Sequence, residues 1–191
     1  MSTGGDRRHV VVMGVSGSGK TTVAHGIADA TGFEFAEADA FHSPENIARM
    51  ERGIPLTDAD RWPWLAALAE WMAARDEAGV STIITCSALR RSYRDVLRTG
   101  PPTVSFVHLD GPADVIRERL SGREGHFMPS SLLQSQIDTL EPLDPDESGV
   151  VLDLRRSPRE LVDDAVAWLT DGGAGTGRGD NDPAGDSVEP H

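Results

Sequence analysis

The chain has 191 residues, enough for one ordinary domain that buries about two-thirds of its unfolded surface and too few for a second full one. With 38% hydrophobic and 26% charged residues and no apolar run near bilayer length, it reads as soluble and globular, with no membrane contact. Its 18 basic against 31 acidic residues, net −13, argue against wrapping nucleic acid or lying on anionic lipid, so any anionic ligand has to be captured locally.

Arg7 and Arg8 precede a short apolar run, as in a secretory or twin-arginine leader. That run is only about seven residues long, lacks a small-residue cleavage site and ends in a glycine-rich turn. Residues 9–13 (HVVVM) are therefore a strand, and the apolar spacing of 20–30 is helical. Between them, Gly14, Val15, Ser16, Gly17, Ser18, Gly19, Lys20 and Thr21 fit G-x-x-x-x-G-K-[ST]. Such a loop turns successive N–H groups inward onto phosphate oxygens, and the following helix points its positive end at the same anion. Lys20 reaches the β- and γ-phosphates in this arrangement, and the Thr21 hydroxyl ligates Mg²⁺. A dinucleotide turn is excluded because Thr22 stands where G-x-G-x-x-G needs its last glycine. Lys20 is the single lysine beside seventeen arginines, which singles it out and leaves no Asn-Lys-x-Asp element for guanine. ATP is the nucleotide this favours.

Further strands are expected at 33–38, 80–85, 103–109 and 149–154. Helices are expected at 44–52, 62–78, 92–98, 113–120, 130–140 and 158–169. Alternation of the two, with strands apolar on both faces, predicts an α/β doubly wound fold built on a five-stranded parallel sheet sandwiched by helices. Ser157, Pro158 and Glu160 open the last helix with a capping box. Residues 170–191 are rich in glycine and aspartate and too apolar-poor to order themselves, so the domain is expected at 1–169 and a solvated acidic tail at 170–191. The lone Cys86 forms no internal disulfide, which suits a reducing cytoplasm. The six histidines show no close metal-ligand pairing.

Glu37-Ala38-Asp39 closes the second strand beside the phosphate loop, where a carboxylate can accept a hydroxyl proton or hold a Mg²⁺-bound water. A capping or turn aspartate is the plainer reading of that residue type. The loop, the run Asp39-Ala40-Phe41-His42-Ser43-Pro44, PLTDADRWPWL over 55–65, CSALRRSYRD over 86–95, and Gly125-His126-Phe127-Met128-Pro129 with Gln136 together resemble the gluconokinase family. The match runs in order from residue 9 to 169 and leaves only the tail outside.

The resemblance implies a compact P-loop NTPase fold of the adenylate-kinase kind with a small lid, Mg·ATP-dependent phosphorylation of D-gluconate to 6-phospho-D-gluconate, and a homodimer. It assigns Lys20, Asp39 and Arg123 to catalysis. Residues 14–21, Thr22, Arg119 and Arg123 go to ATP, and Asp39, His42, Arg49, Ser87, Arg90, Arg91 and Gln136 to gluconate, whose carboxylate and hydroxyls call for cations and hydrogen-bonding groups. Many relatives carry Asp-Gly-Asp at 37–39, and the longer Glu37 meets Mg²⁺ waters differently, so the proton-accepting role falls to Asp39. Glycines 122 and 125 give the lid edge its freedom. The competing readings are another small-molecule P-loop kinase such as shikimate kinase, whose glycine triplet after the third strand is replaced here by Ser87-Ala88-Leu89, and an ATP-binding sensor without transfer.

Overall fold

A computed structural model describes residues 7–122, 130–172 and 176–178. The five expected strands are present as β1 (His9–Met13), β2 (Glu34–Glu37), β3 (Thr82–Thr85), β4 (Val104–Asp110) and β5 (Gly149–Asp153). All pair in parallel in the order β2-β3-β1-β4-β5. A short sixth strand, β6 (Thr176–Arg178), pairs in parallel on the open edge of β5, within the stretch whose composition predicts a solvated tail. The helices are α1 (Lys20–Thr31), α2 (Pro44–Glu51), α3 (Asp58–Glu77), α4 (Arg91–Leu97), α5 (Ala113–Ser121), α6 (Ser130–Thr139) and α7 (Pro158–Thr170).

The apolar run of β1 is continuous because this strand is central and covered on both faces. Val10 and Val12 join the layer formed with Val23 and Ile27 of α1 and Leu161 and Ala165 of α7. Val11 and Met13 point the other way, toward Leu65, Leu68 and Met72 of α3 and Leu97 of α4. Each of the wholly buried valine, leucine, isoleucine and methionine side chains contributes about 1.5–3 kcal/mol. With its central strand walled in on both sides, the sheet leaves its strand ends for ligands, and the loops after β1, β2 and β3 define the site.

Two element boundaries differ from the sequence expectation in ways that matter for function. The second strand stops at Glu37, and residues Ala38–Phe41 form a 3₁₀ turn that leaves Asp39 exposed. Helix α3 starts at Asp58 and not at 62, because Thr57 Oγ1 accepts from Asp60 N at 3.2 Å while Asp60 accepts from Thr57 N at 2.9 Å. Pro63 imitates a proline at the first helical position, so periodicity alone starts this helix too late. The earlier start brings Arg61 onto the first turn of α3.

Three buried histidines make stability depend on pH. His9 lies between Thr82 Oγ1 at 2.8 Å and Asp76 Oδ1 at 3.1 Å, His42 stacks on Trp64 at 4.2 Å, and His108 sits in β4 with neither ring nitrogen hydrogen-bonded. Burial holds all three below the ordinary histidine value of 6.5. Below pH 6.5 the unfolded chain therefore binds more protons than the folded one, and stability falls as pH drops. Thermal midpoints measured from pH 7.5 down to 5.5 should decline, and His108→Phe should flatten that decline. An unchanged slope in the variant would remove His108 from the explanation. Carboxylates act only lower, as with Asp146, which Arg91 holds down at about 2.

Candidate active site

The loop between β1 and α1 takes backbone angles that glycine alone tolerates: φ is 143° at Gly14, 81° at Gly17 and 94° at Gly19. Space is also limiting, since a Cβ on Gly14 would stand 2.7 Å from the Leu109 carbonyl oxygen and one on Gly17 2.6 Å from Leu120 Cγ. Lys20 Nζ donates to the Val15 carbonyl at 3.0 Å, and Ser18 N donates to the same oxygen at 3.2 Å. Thr21 and Thr22 are exposed on the first turn of α1, beside the helix end that favours anions. Ser18 is fully buried, so of the two loop serines only Ser16 is partly open.

Beside the loop is a cavity of about 300 Å³, lined among others by Gly17, Gly19, Thr22 and Arg119. Arg119 reaches it from α5 and is held by donating to the Ser18 carbonyl at 3.4 Å and to the Leu154 carbonyl. Its far wall is Arg156, Pro158 and Leu161, at the start of α7. Sequence reasoning missed these three, although the cap at Ser157 marks where α7 begins and the sheet order puts that end near α1. The guanidinium, the proline ring and the leucine side chain offer flat and apolar contacts suited to a planar base. Arg123 and residues 125–129 of the lid-edge motif lie outside the described residues.

Across the end of β3 from the loop, charged groups converge. The Cys86 thiol is pushed up to about 12 by burial, and the charges of Lys20, Asp39 and Arg61 all bear on it. A thiol held protonated in this way is not a nucleophile. His42 feels the charge of Asp39, which favours its charged form, and that of Arg61, which opposes it; its Nδ1 has no hydrogen-bond partner. Trp64 fixes the wall behind it, its indole N–H donating to the Ala38 carbonyl at 2.7 Å. Arg61, absent from the sequence-derived site, donates to the Tyr93 hydroxyl at 3.0 Å, and that hydroxyl donates to Asp58. Arg90 completes the group, 3.5 Å from Asp58 and 6.0 Å from the centre of the Tyr93 ring, with its buried Nε unpartnered. Glu37 is engaged differently: it accepts a hydrogen bond from the buried Thr85 on β3, which leaves Asp39 as the exposed carboxylate of the pair.

Of the remaining expected acceptor residues, Arg49, Arg91 and Gln136 have their side chains bound to other groups. Arg49 pairs with Asp60 at 2.8 Å, next to a cavity of about 430 Å³ bounded by Asn46, Asp60 and Trp64. Ser87 lies in the turn after β3, where its carbonyl accepts from Gly14 N at 3.3 Å. Arg91 is bound by carboxylates, with Asp95 at 3.0 Å, Asp144 at 2.9 Å and both oxygens of Asp146 at 2.8 Å. Both ends of the Gln136 carboxamide go to Ser16 of the loop. Arg94, which the sequence groups with Arg90 and Arg91, is fully buried. It pairs with Glu147 through Nε at 2.7 Å and Nη2 at 2.9 Å. Its other N–H groups donate to the carbonyls of Ala88, Glu141 and Pro142 at 3.0–3.1 Å. All five donors are satisfied, so this arginine has none left for a ligand.

The AAA-domain family matches residues 10–143. A gluconokinase of Gluconobacter oxydans is 47% identical over 159 residues, covering 83% of this chain and 89% of that protein. Among solved structures, a sugar kinase from Janibacter sp. HTCC2649 superposes with a TM-score of 0.83 at 74% identity, covering 88% of this chain and 97% of that one. A gluconokinase from Sinorhizobium meliloti follows with a TM-score of 0.79 at 51% identity, over 85% and 91% of the two chains. With a curated gluconokinase at 47% identity over most of both chains and a gluconokinase structure that superposes closely, the chain belongs to the gluconokinase family of P-loop kinases.

Proposed function

We propose that the chain transfers the γ-phosphoryl group of ATP to the 6-hydroxyl of D-gluconate, giving 6-phospho-D-gluconate and ADP. The observation that carries this reading is the convergence of Lys20, Asp39 and Arg61 at the end of β3, in a member of the gluconokinase family. Lys20 leaves the Val15 carbonyl to meet the phosphates, where its charge offsets that spread over the transferred group. Asp39 takes the proton of the attacking hydroxyl. His42, with its open Nδ1, and Arg90, with its unpartnered Nε, bind gluconate hydroxyls and carboxylate; Arg61 adds positive charge on the same side.

The residues present fit Mg²⁺, since the Thr21 hydroxyl is exposed on the first turn of α1 and the Asp39 carboxylate is exposed across the cleft. When bound with ATP, the ion neutralises phosphate charge. Arg119 and the wall at Arg156 and Pro158 receive the adenine. Arg123 is assigned to the phosphates by its place in the lid-edge motif. A homodimer in a reducing cytoplasm is the setting that the family and the buried, lone thiol support; sedimentation equilibrium reads the dimer.

The deciding assay follows ATP consumption across gluconate, other sugar acids, shikimate and nucleoside monophosphates. Gluconate should be preferred, and Asp39→Asn should lower kcat with gluconate about 10²-fold while leaving ATP binding in place. Preference for shikimate, or ATP binding without turnover on any acceptor, would overturn the assignment.

A further inference from the structure

Ser16 is the third residue of the phosphate loop, and its peptide link to Val15 is held at both ends. The Val15 carbonyl accepts from Lys20 Nζ at 3.0 Å and from Ser18 N at 3.2 Å. The N–H on the other side of the same link, that of Ser16, donates to Gln136 Oε1 at 2.8 Å. Gln136 Nε2 donates in turn to Ser16 Oγ at 3.3 Å, so one carboxamide on α6 holds both polar groups of a residue 120 positions earlier. Neither of these bonds goes to Asp39, His42, Arg61 or Arg90, the groups that converge on the acceptor side. The chemistry of the amide also matters. A carboxylate would accept the same N–H but set a negative charge against the phosphate site, whereas glutamine accepts without charge and donates as well.

We propose that Gln136 is a positioning residue for the phosphate loop and not a gluconate ligand. By fixing the Val15–Ser16 peptide plane it keeps the loop in its phosphate-cradling curve before nucleotide arrives, so ATP affinity depends on it and gluconate affinity does not. The inference rests on reading the loop as the ATP site, and it does not require that gluconate be the acceptor.

The test uses the full chain and three variants. In Gln136→Met, which keeps side-chain length and helix propensity, the Ser16 amide proton should move upfield in the nucleotide-free ¹⁵N spectrum. In Gln136→Glu it should stay in place, because the carboxylate still accepts that N–H. The dissociation constant of fluorescently labelled ATP with Mg²⁺, measured without acceptor, should rise about 10-fold in Gln136→Met, with the gluconate KM changed less than about twofold. Ser16→Ala removes only the hydroxyl contact and should weaken ATP about two- to threefold. Thermal midpoints check that the variants remain folded, and the Ser16→Ala arm leaves α6 intact if Gln136→Met does not. A raised gluconate KM with unchanged ATP affinity would overturn the proposal in favour of a gluconate contact. An unmoved Ser16 resonance together with unchanged ATP affinity would also overturn it. Failure of the gluconokinase reading would show instead as absent turnover with gluconate, while the amide shift and the ATP affinity still report on Gln136.

Discussion

Replacing Lys20 with Met should lower kcat for gluconate phosphorylation by about 10³-fold, as expected when a charge matched to the transition state is removed from a partly enclosed site. The protein should stay folded, because the Val15 carbonyl that accepts from Lys20 also accepts from Ser18 N and so keeps a donor. Lys20→Arg should not restore activity. The planar guanidinium is wider than an ammonium and would have to enter a loop whose neighbours already approach too closely to admit a Cβ at Gly14 or Gly17. Single-turnover transfer from radiolabelled ATP, with ATP binding measured in parallel, separates chemistry from affinity. A loss smaller than about 10-fold in the transfer step would remove Lys20 from the centre of the mechanism.

The second large effect is structural. Arg94→Met should destabilise the domain by about 3–5 kcal/mol, because Glu147 would lose the partner that holds both its oxygens in a site with no solvent exposure, keeping only the Asp144 N–H at 2.9 Å and Arg91 at 3.8 Å. At about 2–4 °C per kcal/mol for a chain of this size, the thermal midpoint should drop by roughly 10 °C. The same change frees the Ala88 carbonyl, and Ala88 is the one non-glycine among the described residues with positive φ, at 44°. That left-handed backbone costs about 1–2 kcal/mol and persists because Arg94 holds it from one side. Since the turn lies between Ser87 and Arg90, the variant should also raise the gluconate KM. Replacing Arg94 and Glu147 together with methionines should recover much of the lost stability, since no unpaired charge then remains. If the single variant melts within about 2 °C of the parent, the ion pair is not what holds this region.

The sequence is readable where the deciding interactions are local. The loop at 14–21 is one, since strand, turn and helix adjoin, and the three buried valines of β1 announced a strand covered on both faces. Sequence reading lost its grip where a side chain's partner lies far along the chain. Arg90, Arg91 and Arg94 look alike as a basic cluster following β3. Only the fold shows that Arg91 and Arg94 are bound by Asp144, Asp146 and Glu147, some fifty residues on, while Arg90 keeps an open nitrogen. The same pairing accounts for part of the acidity of residues 138–153, a segment with six acidic residues and no basic one. Arg61 was missed for a different reason: Pro63 obscured the true start of α3. Gln136 shows the same limit, because a glutamine on a helix carries no mark that its carboxamide bonds Ser16, 120 residues earlier.

The sheet order also bears on how the molecule is made. β1 precedes the other strands in the chain, yet both of its parallel neighbours lie far downstream, at residues 82–85 and 104–108. Its two hydrogen-bonding edges therefore stay unpaired until those later segments have been made, whereas α1 and α3 can cover its buried side chains earlier. Parallel pairing over such separations is slow, because loop closure comes before any reward in contacts. The strand that leads into the glycine loop thus completes its pairing only after β4 has been made, and the loop is held at that end only from then on.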